Sequence, residues 1–266
     1  MNNSVRILGA RGSIPVSGPA FSRYGGDTTC VLVRLGGQEI LLDAGTGLMS
    51  LPPETMEAPA LPLLLTHYHI DHLLGFPLCP YILRPGKRLD IYGMTRHGAD
   101  AKEAVSRLLS RPLWPVGPEG LPAEMVFHPL PETMDIGPVR VETMEGLHPD
   151  GVTLFRLTGD GRSIALVTDC TLTRENLPAV SRFVRDCDLL LCDGQYSEEE
   201  WPARSGFGHS TWRMAARLAA ASGARQVRIL HHDVTHTDEI LARADREVRA
   251  ICPACQLAVQ GEEIPL

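Results

Sequence analysis

Short apolar or alternating runs, punctuated by glycine and proline, dominate the first third of the chain. Val5 to Gly9, Cys30 to Leu35 and Glu39 to Asp43 read as strands, and Gly36-Gly37 between the last two is a hairpin signal. Pro62-Leu63-Leu64-Leu65 is uncharged and of strand length, the pattern of a strand buried on both faces. A turn follows, and Leu73 to Leu78 reads as a short helix stopped by Pro77 and Pro80. Over 84–124 the pattern weakens to a strand at Leu89 to Tyr92, a helix at Ala99 to Leu109 and a proline-rich loop from Arg111 to Pro118. Strands resume at Met125 to His128, Val139 to Met144, Thr153 to Thr158 and Ser163 to Thr168, with Gly159-Asp160-Gly161 turning between the last two. Thr173 to Val184 then reads as a helix and Asp188 to Asp193 as a buried strand. An Ala-rich helix spans Thr211 to Ser222, with Ser210 as its N-cap and Gly223 as its stop. Val227 to Leu230 is a strand, Asp238 to Ile251 a helix started by Thr237, and Gln256 to Gln260 a closing strand. Each half runs strands first and strand–helix units afterwards, which makes the chain α/β.

The buried run at 62–65 ends in Thr66-His67-Tyr68-His69-Ile70-Asp71-His72. Imidazole nitrogens and carboxylate oxygens are the donors that bind zinc and similar divalent ions. His67 and His69 lie two apart, so in an extended segment their rings share a side. Asp71 and His72 follow at the turn and reach a second ion close to the first. More donors are needed, and three stand at strand ends: His148 after Val139 to Met144, Asp169 directly after Ser163 to Thr168, and His231 directly after Val227 to Leu230. One histidine after a strand is commonly a surface or capping residue. Four strands that each end in such a residue point instead to one shared edge of a sheet, where loops carry function.

His209 stands apart in Gly208-His209-Ser210-Thr211, just ahead of a helix start whose free N–H groups favour a bound anion. Asp43 reads equally as a partner that orients a metal-bound imidazole or as a turn cap. His232 and Asp233 are placed as outer partners, His97 and His128 as packing residues, and His236 has no assignment. The glycine-rich loop Arg11 to Val16 and Arg23 to Thr29 is either a plain connector or a place where backbone approaches a ligand.

Composition narrows the function. The chain has 266 residues, 44% hydrophobic and 21% charged, which fits a soluble globular protein with an aliphatic core. Length alone allows one large or two ordinary domains. No run is long enough to span a membrane and the first twenty residues lack a signal-peptide pattern, so a cytoplasmic location is expected. Seven cysteines without framework spacing are expected to be reduced and mostly buried, with Cys252 and Cys255 packing near the terminus. Net charge is −7 and only Lys87 and Lys102 are lysines, so long DNA or RNA is a poor substrate. A small anion stays open, because bound dications would dominate the local field.

Taken together, Arg11-Gly-Ser-Ile-Pro15, Tyr24-Gly-Gly-Asp-Thr28, Leu42-Asp-Ala-Gly-Thr-Gly47, the cluster from Thr66 to His72, Leu147-His-Pro149, Thr168-Asp169, Asp193-x-Gln-Tyr196, Gly208-His-Ser-Thr211 and His231-His-Asp233 resemble the metallo-β-lactamase superfamily. The branch they resemble is that of tRNase Z and small phosphodiesterases, closest to the cyclic-phosphate phosphodiesterases of phosphonate breakdown. The likeness covers most of the chain except about 84–124. It implies a four-layer αββα sandwich in one domain over 1–266, with 84–124 as a cap or dimer contact and a homodimer as the assembly. It also implies His67, His69 and His148 on one ion, Asp71, His72 and His231 on the other, and Asp169 bridging. Asp71 and His209 would be catalytic. The ions would be two zincs, with manganese tolerated, and a bridging hydroxide would attack a small anionic phosphodiester such as a cyclic nucleotide or cyclic ribose phosphate. A tRNA 3′-processing nuclease, a lactone, thioester or lactam hydrolase and a non-catalytic metal-binding carrier are the competing readings. Asp150 and Phe155 differ from the Gly and Tyr frequent in the family after the third ligand, and Cys192 and Asp27 stand where His and Asn are frequent.

Overall fold

The structure is a computed structural model and describes residues 3–266. In chain order the first strands are β1 (Ser4–Gly9), β2 (Cys30–Leu35), β3 (Gln38–Leu42), β4 (Ala60–Leu64), β5 (Arg88–Gly93) and β6 (Glu124–Pro129). The second half adds β7 (Thr133–Ile136), β8 (Val139–Gly146), β9 (Val152–Gly159), β10 (Arg162–Val167), β11 (Leu189–Asp193), β12 (Gln226–Leu230), β13 (Cys255–Leu257) and β14 (Glu263–Pro265). The helices are α1 (Pro53–Met56), α2 (Ala101–Leu108), α3 (Leu177–Phe183), α4 (Trp201–Arg204), α5 (Trp212–Ser222) and α6 (Asp238–Ile251).

Two seven-stranded sheets result, ordered β14-β1-β2-β3-β4-β5-β6 and β13-β12-β11-β10-β9-β8-β7. In both, an antiparallel meander gives way to parallel strands, at β3/β4 in one and at β10/β11 in the other. The hairpin loops Gly36-Gly37 and Asp160-Gly161 have positive φ at both residues, the backbone that two-residue hairpins require.

Alternation along the strands builds the layers. Val31, Val33 and Leu64 face one way and meet Phe155, Leu189 and Leu191 of the other sheet, forming the core between the sheets. Cys30, Leu32 and Leu63 face the other way and pack with Ala101 and Val105 of α2. Leu190, Cys192, Val227 and Ile229 turn out from the second sheet onto Val180 of α3, Ala215 and Ala219 of α5 and Leu241 and Val248 of α6. Helix, sheet, sheet and helix thus stack as an αββα sandwich. Each fully buried Leu or Ile contributes about 1.5–3 kcal/mol. Strands β4 and β11 are apolar on both faces up to their carboxyl ends, so polar chemistry gathers at those ends.

Several local expectations change. Leu73 to Leu78 is not an α-helix: 3₁₀ turns cover Ile70–His72 and Phe76–Leu78, with Gly75 between them and Pro77 inside the second. Ser210 is not the N-cap of α5. Thr211 takes that place, accepting from the Met214 N–H at 3.1 Å, while Ser210 Oγ donates to Cys170 O and accepts from Leu172 N–H. Helix α3 starts at Leu177, because Thr173 and Asn176 exchange side-chain-to-backbone hydrogen bonds in a turn before it. Thr237 precedes α6 without a side-chain capping bond. Strands β7 and β14 are additions, both short and at sheet edges. The closing strand β13 occupies Cys255–Leu257, short of the expected Gln260.

Candidate metal centre

The carboxyl ends of β4, β10, β11 and β12 empty into one concave edge, the usual location of function in parallel sheets. Asp43, Asp169 and His231 each follow a strand with positive φ (59°, 51° and 66°), a backbone that non-glycine residues hold only under constraint.

All seven predicted donors come together there. One atom each from His67, His69, His148 and Asp169 lies within 4.8 Å of the others, and the same holds for Asp71, His72, Asp169 and His231. Asp169 is common to both groups: its carboxylate is 3.3 Å from His72 Nε2, 3.3 Å from His231 Nε2 and 3.6 Å from His67 Nε2. His148 Nε2 faces His69 Nδ1 at 3.1 Å.

Each ring is held by its other nitrogen. His72 Nδ1 meets Asp43 Oδ2 at 2.8 Å, His231 Nδ1 meets Gln195 Oε1 at 3.1 Å, and His148 Nδ1 meets the Gly208 carbonyl at 3.0 Å. His67 Nδ1 is 3.0 Å from Thr66 Oγ1, and His69 Nε2 is 2.8 Å from Asp150. This pattern fixes tautomer and ring orientation and aims a lone pair from each ring inward. Of the two roles considered for Asp43, the contact with the His72 ring is the one observed; its other oxygen accepts from the Thr66 N–H at 2.8 Å and so ties the ends of β3 and β4 together. Asp71 accepts from the Ser13 N–H at 2.7 Å, which gives the glycine-rich N-terminal loop a function. Two glycines allow close backbone approach: a Cβ on Gly12 would lie 2.2 Å from His231 Nδ1, and one on Gly208 2.0 Å from His148 Nδ1.

The donors fit divalent ions. His67 Nε2 and His72 Nε2 are buried without a hydrogen-bond partner, a costly state that an ion would relieve. Burial pushes the His67 and His148 imidazoles below their ordinary value. Burial also opposes charge on His72 and His231, but Asp169 and Asp71 override it, raising His231 to about 9 and His72 well above normal. Asp169 and Asp71 are correspondingly held below the usual carboxylate range, although burial alone would raise them. Without ions, protons on imidazoles balance the clustered carboxylates; divalent ions fill the same electrostatic role.

His209 sits against this cluster, 7% exposed, with Nδ1 3.1 Å from Asp193 Oδ2 and its ring stacked on His231 at 4.7 Å. Asp193 also accepts from the Gln195 N–H at 3.0 Å.

Several residues had no site role in the sequence. Gln195 is 1% exposed, and its Nε2 donates toward Asp233 Oδ2 and Ser13 Oγ, both at 3.3 Å, which orients the oxygen that His231 uses. Asp233 in turn is paired with Arg204 at 2.8 Å. Asp150 stands between His69 and His97, so His97 is at the mouth of the site and is not a packing residue. His128 pairs with Asp90 and stacks on Tyr92, away from the donors. His232 Nε2 donates to Ala258 O and His236 pairs with Glu200; neither side chain reaches the cluster. Gln195 stands in the Asp193-x-Gln-Tyr196 motif and Asp150 two residues after His148, but motif order did not name their partners, because the contacts arise across 36 and 81 residues.

A β-lactamase superfamily domain matches residues 38–232. The chain is 28% identical over 284 aligned positions to a ribonuclease Z from Bradyrhizobium sp. (strain ORS 278), covering 86% of this chain and 90% of that protein. Among solved structures it resembles the metallo-β-lactamase fold protein YhfI from Bacillus subtilis, with TM-score 0.72, 19% identity and 99% of each chain covered. It also resembles a diphosphatase of the PhnP family, with TM-score 0.68, 18% identity, 99% of this chain and 98% of that one. The chain therefore belongs to the β-lactamase superfamily, as a member carrying the His/Asp donor set of a metallo-hydrolase.

Proposed function

We propose that the protein hydrolyses a small phosphodiester, with cyclic nucleotides and cyclic ribose phosphates as the substrate class. His67, His69, His148 and Asp169 would hold one divalent ion, and Asp71, His72, His231 and Asp169 the other. Zinc suits so imidazole-rich a set, and the mixed nitrogen and oxygen donors also tolerate manganese. Two such ions, when bound, supply Lewis acidity toward a phosphoryl group and a lowered pKa for an attacking water.

The observation that carries the reading is His209. Its Nδ1 is committed to Asp193, which leaves Nε2 as the nitrogen available to a substrate, and Asp193 stabilises the ring when it is protonated. A proton donor next to the donor cluster is what an alkoxide leaving group needs. Asp71, fixed by Ser13, orients the incoming water. Water adds at phosphorus, the bond to the departing oxygen breaks, and His209 delivers its proton there, releasing a monoester.

A ribonuclease reading also has support, from the ribonuclease Z relatives. Against it stands the net charge of −7, unfavourable for a polyanion of tRNA length. The test is turnover of bis(p-nitrophenyl) phosphate by chelator-stripped protein reloaded with zinc or manganese, beside a precursor tRNA and a thioester. Diester turnover that exceeds both others is the expected result. Thioester turnover alone would overturn the reading, efficient tRNA cleavage would favour the nuclease, and ion binding without any turnover would favour a carrier.

A further inference from the structure

A cavity of about 370 Å³ opens directly beside His67 and His69, at the small end of the range for ligand pockets. Its walls are Tyr68, Ile70 and Leu73 from the metal-donor loop, and Ala104, Leu108 and Leu113 from the 84–124 segment. The Tyr68 hydroxyl donates to Met94 O at 2.6 Å, so the aromatic ring is what it offers the cavity. Ile70 and Leu113 are 55% and 71% exposed, large apolar side chains held open at the mouth. An apolar patch continuous with a reactive centre is a binding feature.

The charged groups on this wall are already paired. Arg96 turns Nη1 and Nη2 to Glu145 and Nη2 also to Thr153 Oγ1, while its Nε is buried without a hydrogen-bond partner. Arg107 pairs with Glu103, and Asp150 sits between His69 Nε2 at 2.8 Å and His97 Nε2 at 3.1 Å. A second phosphate placed here would face apolar carbon and would have to break an existing pair to find a counter-charge.

We propose that this cavity receives an uncharged aromatic or heterocyclic group carried by the diester. The substrate class is then a nucleobase- or aryl-bearing phosphodiester, not a sugar bisphosphate. The proposal rests on the phosphodiesterase reading and assigns the α2 region as the specificity wall.

Two substrates with a common leaving group test it: phenyl p-nitrophenyl phosphate and methyl p-nitrophenyl phosphate, each normalised to its hydroxide rate, with manganese-loaded protein. The phenyl ester is expected to have a kcat/KM roughly 10- to 100-fold higher, mostly through KM, the scale on which apolar pockets discriminate. Leu113→Asp, at an exposed position that leaves the fold intact, and Leu108→Asp should bring that ratio toward one, whereas Leu113→Phe should preserve it. Calorimetric titration with phenylphosphonate and methylphosphonate repeats the comparison without turnover. A ratio near one in the wild type, or one that both aspartate variants leave unchanged, overturns the proposal. Absent hydrolysis with a preserved phosphonate ratio overturns the phosphodiesterase reading and leaves the pocket assignment standing.

Discussion

His209 and the donors around it differ in what each holds. His209 is fixed by Asp193 and lies against the cluster without completing either four-residue group that contains Asp169. Replacing it with alanine should lower kcat by roughly 10²–10⁴-fold, the usual worth of a positioned proton donor, while metal content measured by emission spectrometry stays at the wild-type level. Loss of metal in parallel with activity would make it a ligand. Gln195 acts differently, through the ring of His231. Gln195→Ala should weaken ion binding about 10–100-fold in a chelator competition, because an unoriented imidazole samples the wrong tautomer. Gly208→Ala should do the same through His148, whose Nδ1 lies 2.0 Å from where the new Cβ would be. The first-ligand cluster was readable from sequence because four donors share six consecutive residues. The roles of Gln195 and Asp150 were not, although one lies in a recognised motif and the other departs from the family beside the third ligand; only folding brings them to His231 and His69.

At the level of elements, strand ends set the chemistry. The strands that deliver donors, β4, β10 and β12, are buried nearly throughout, and the short apolar runs within them are legible in sequence. The elements that escaped reading carry less signal. Strand β7 has the composition Thr-Met-Asp-Ile and β14 is Glu-Ile-Pro, both at sheet edges where pairing on one side is enough. The starts of α5 and α6 were legible to within one residue, whereas α3 begins four residues after the expected Thr173. At the start of α5 the sequence points to Ser210 as the cap, and the structure shows Ser210 drawn instead to the Cys170–Leu172 turn, with Thr211 capping the helix. Thr211→Ala should therefore cost about 1 kcal/mol in urea unfolding, as the loss of an N-cap does. An unchanged unfolding midpoint would show that Thr211 does not cap the helix.

For the whole molecule, the site links stability to pH through its ions. In chelated protein His231 titrates near 9, and His72 also above its unfolded value, with burial opposing and Asp169 and Asp71 raising both. A raised folded pKa gives stability that is fully present below the unfolded value near 6.5 and is lost as pH rises through about 9. His67, His148 and His232 have lowered values, so they are neutral when folded but about half protonated when unfolded at pH 6.5, and each returns about 0.4 kcal/mol as pH rises, which offsets part of the loss. Asp71 and Asp169 act at the acidic end, with stability present above about pH 4 and lost as pH falls through their depressed values. Chelated protein should accordingly lose on the order of 2 kcal/mol between pH 6.5 and 9, seen as a falling Tm, whereas the loaded protein stays level. A flat profile in chelator would mean the carboxylates do not hold protons on those rings. The α/β class was legible from the run of strands and strand–helix units, and the four-layer αββα order only as what the family resemblance implied. The role of 84–124 was not, since what matters there is a wall built from side chains far apart in sequence, Ile70 and Leu113 among them.

The account depends on two ions sharing Asp169, and a stoichiometric titration measures that directly. Chelator-stripped protein is titrated with zinc or manganese while bound metal and bis(p-nitrophenyl) phosphate turnover are followed together. Binding should saturate at two ions per chain, with turnover reaching its plateau only as the second site fills, and Asp169→Ala should abolish that plateau. Full turnover with one ion or with none would contradict the account.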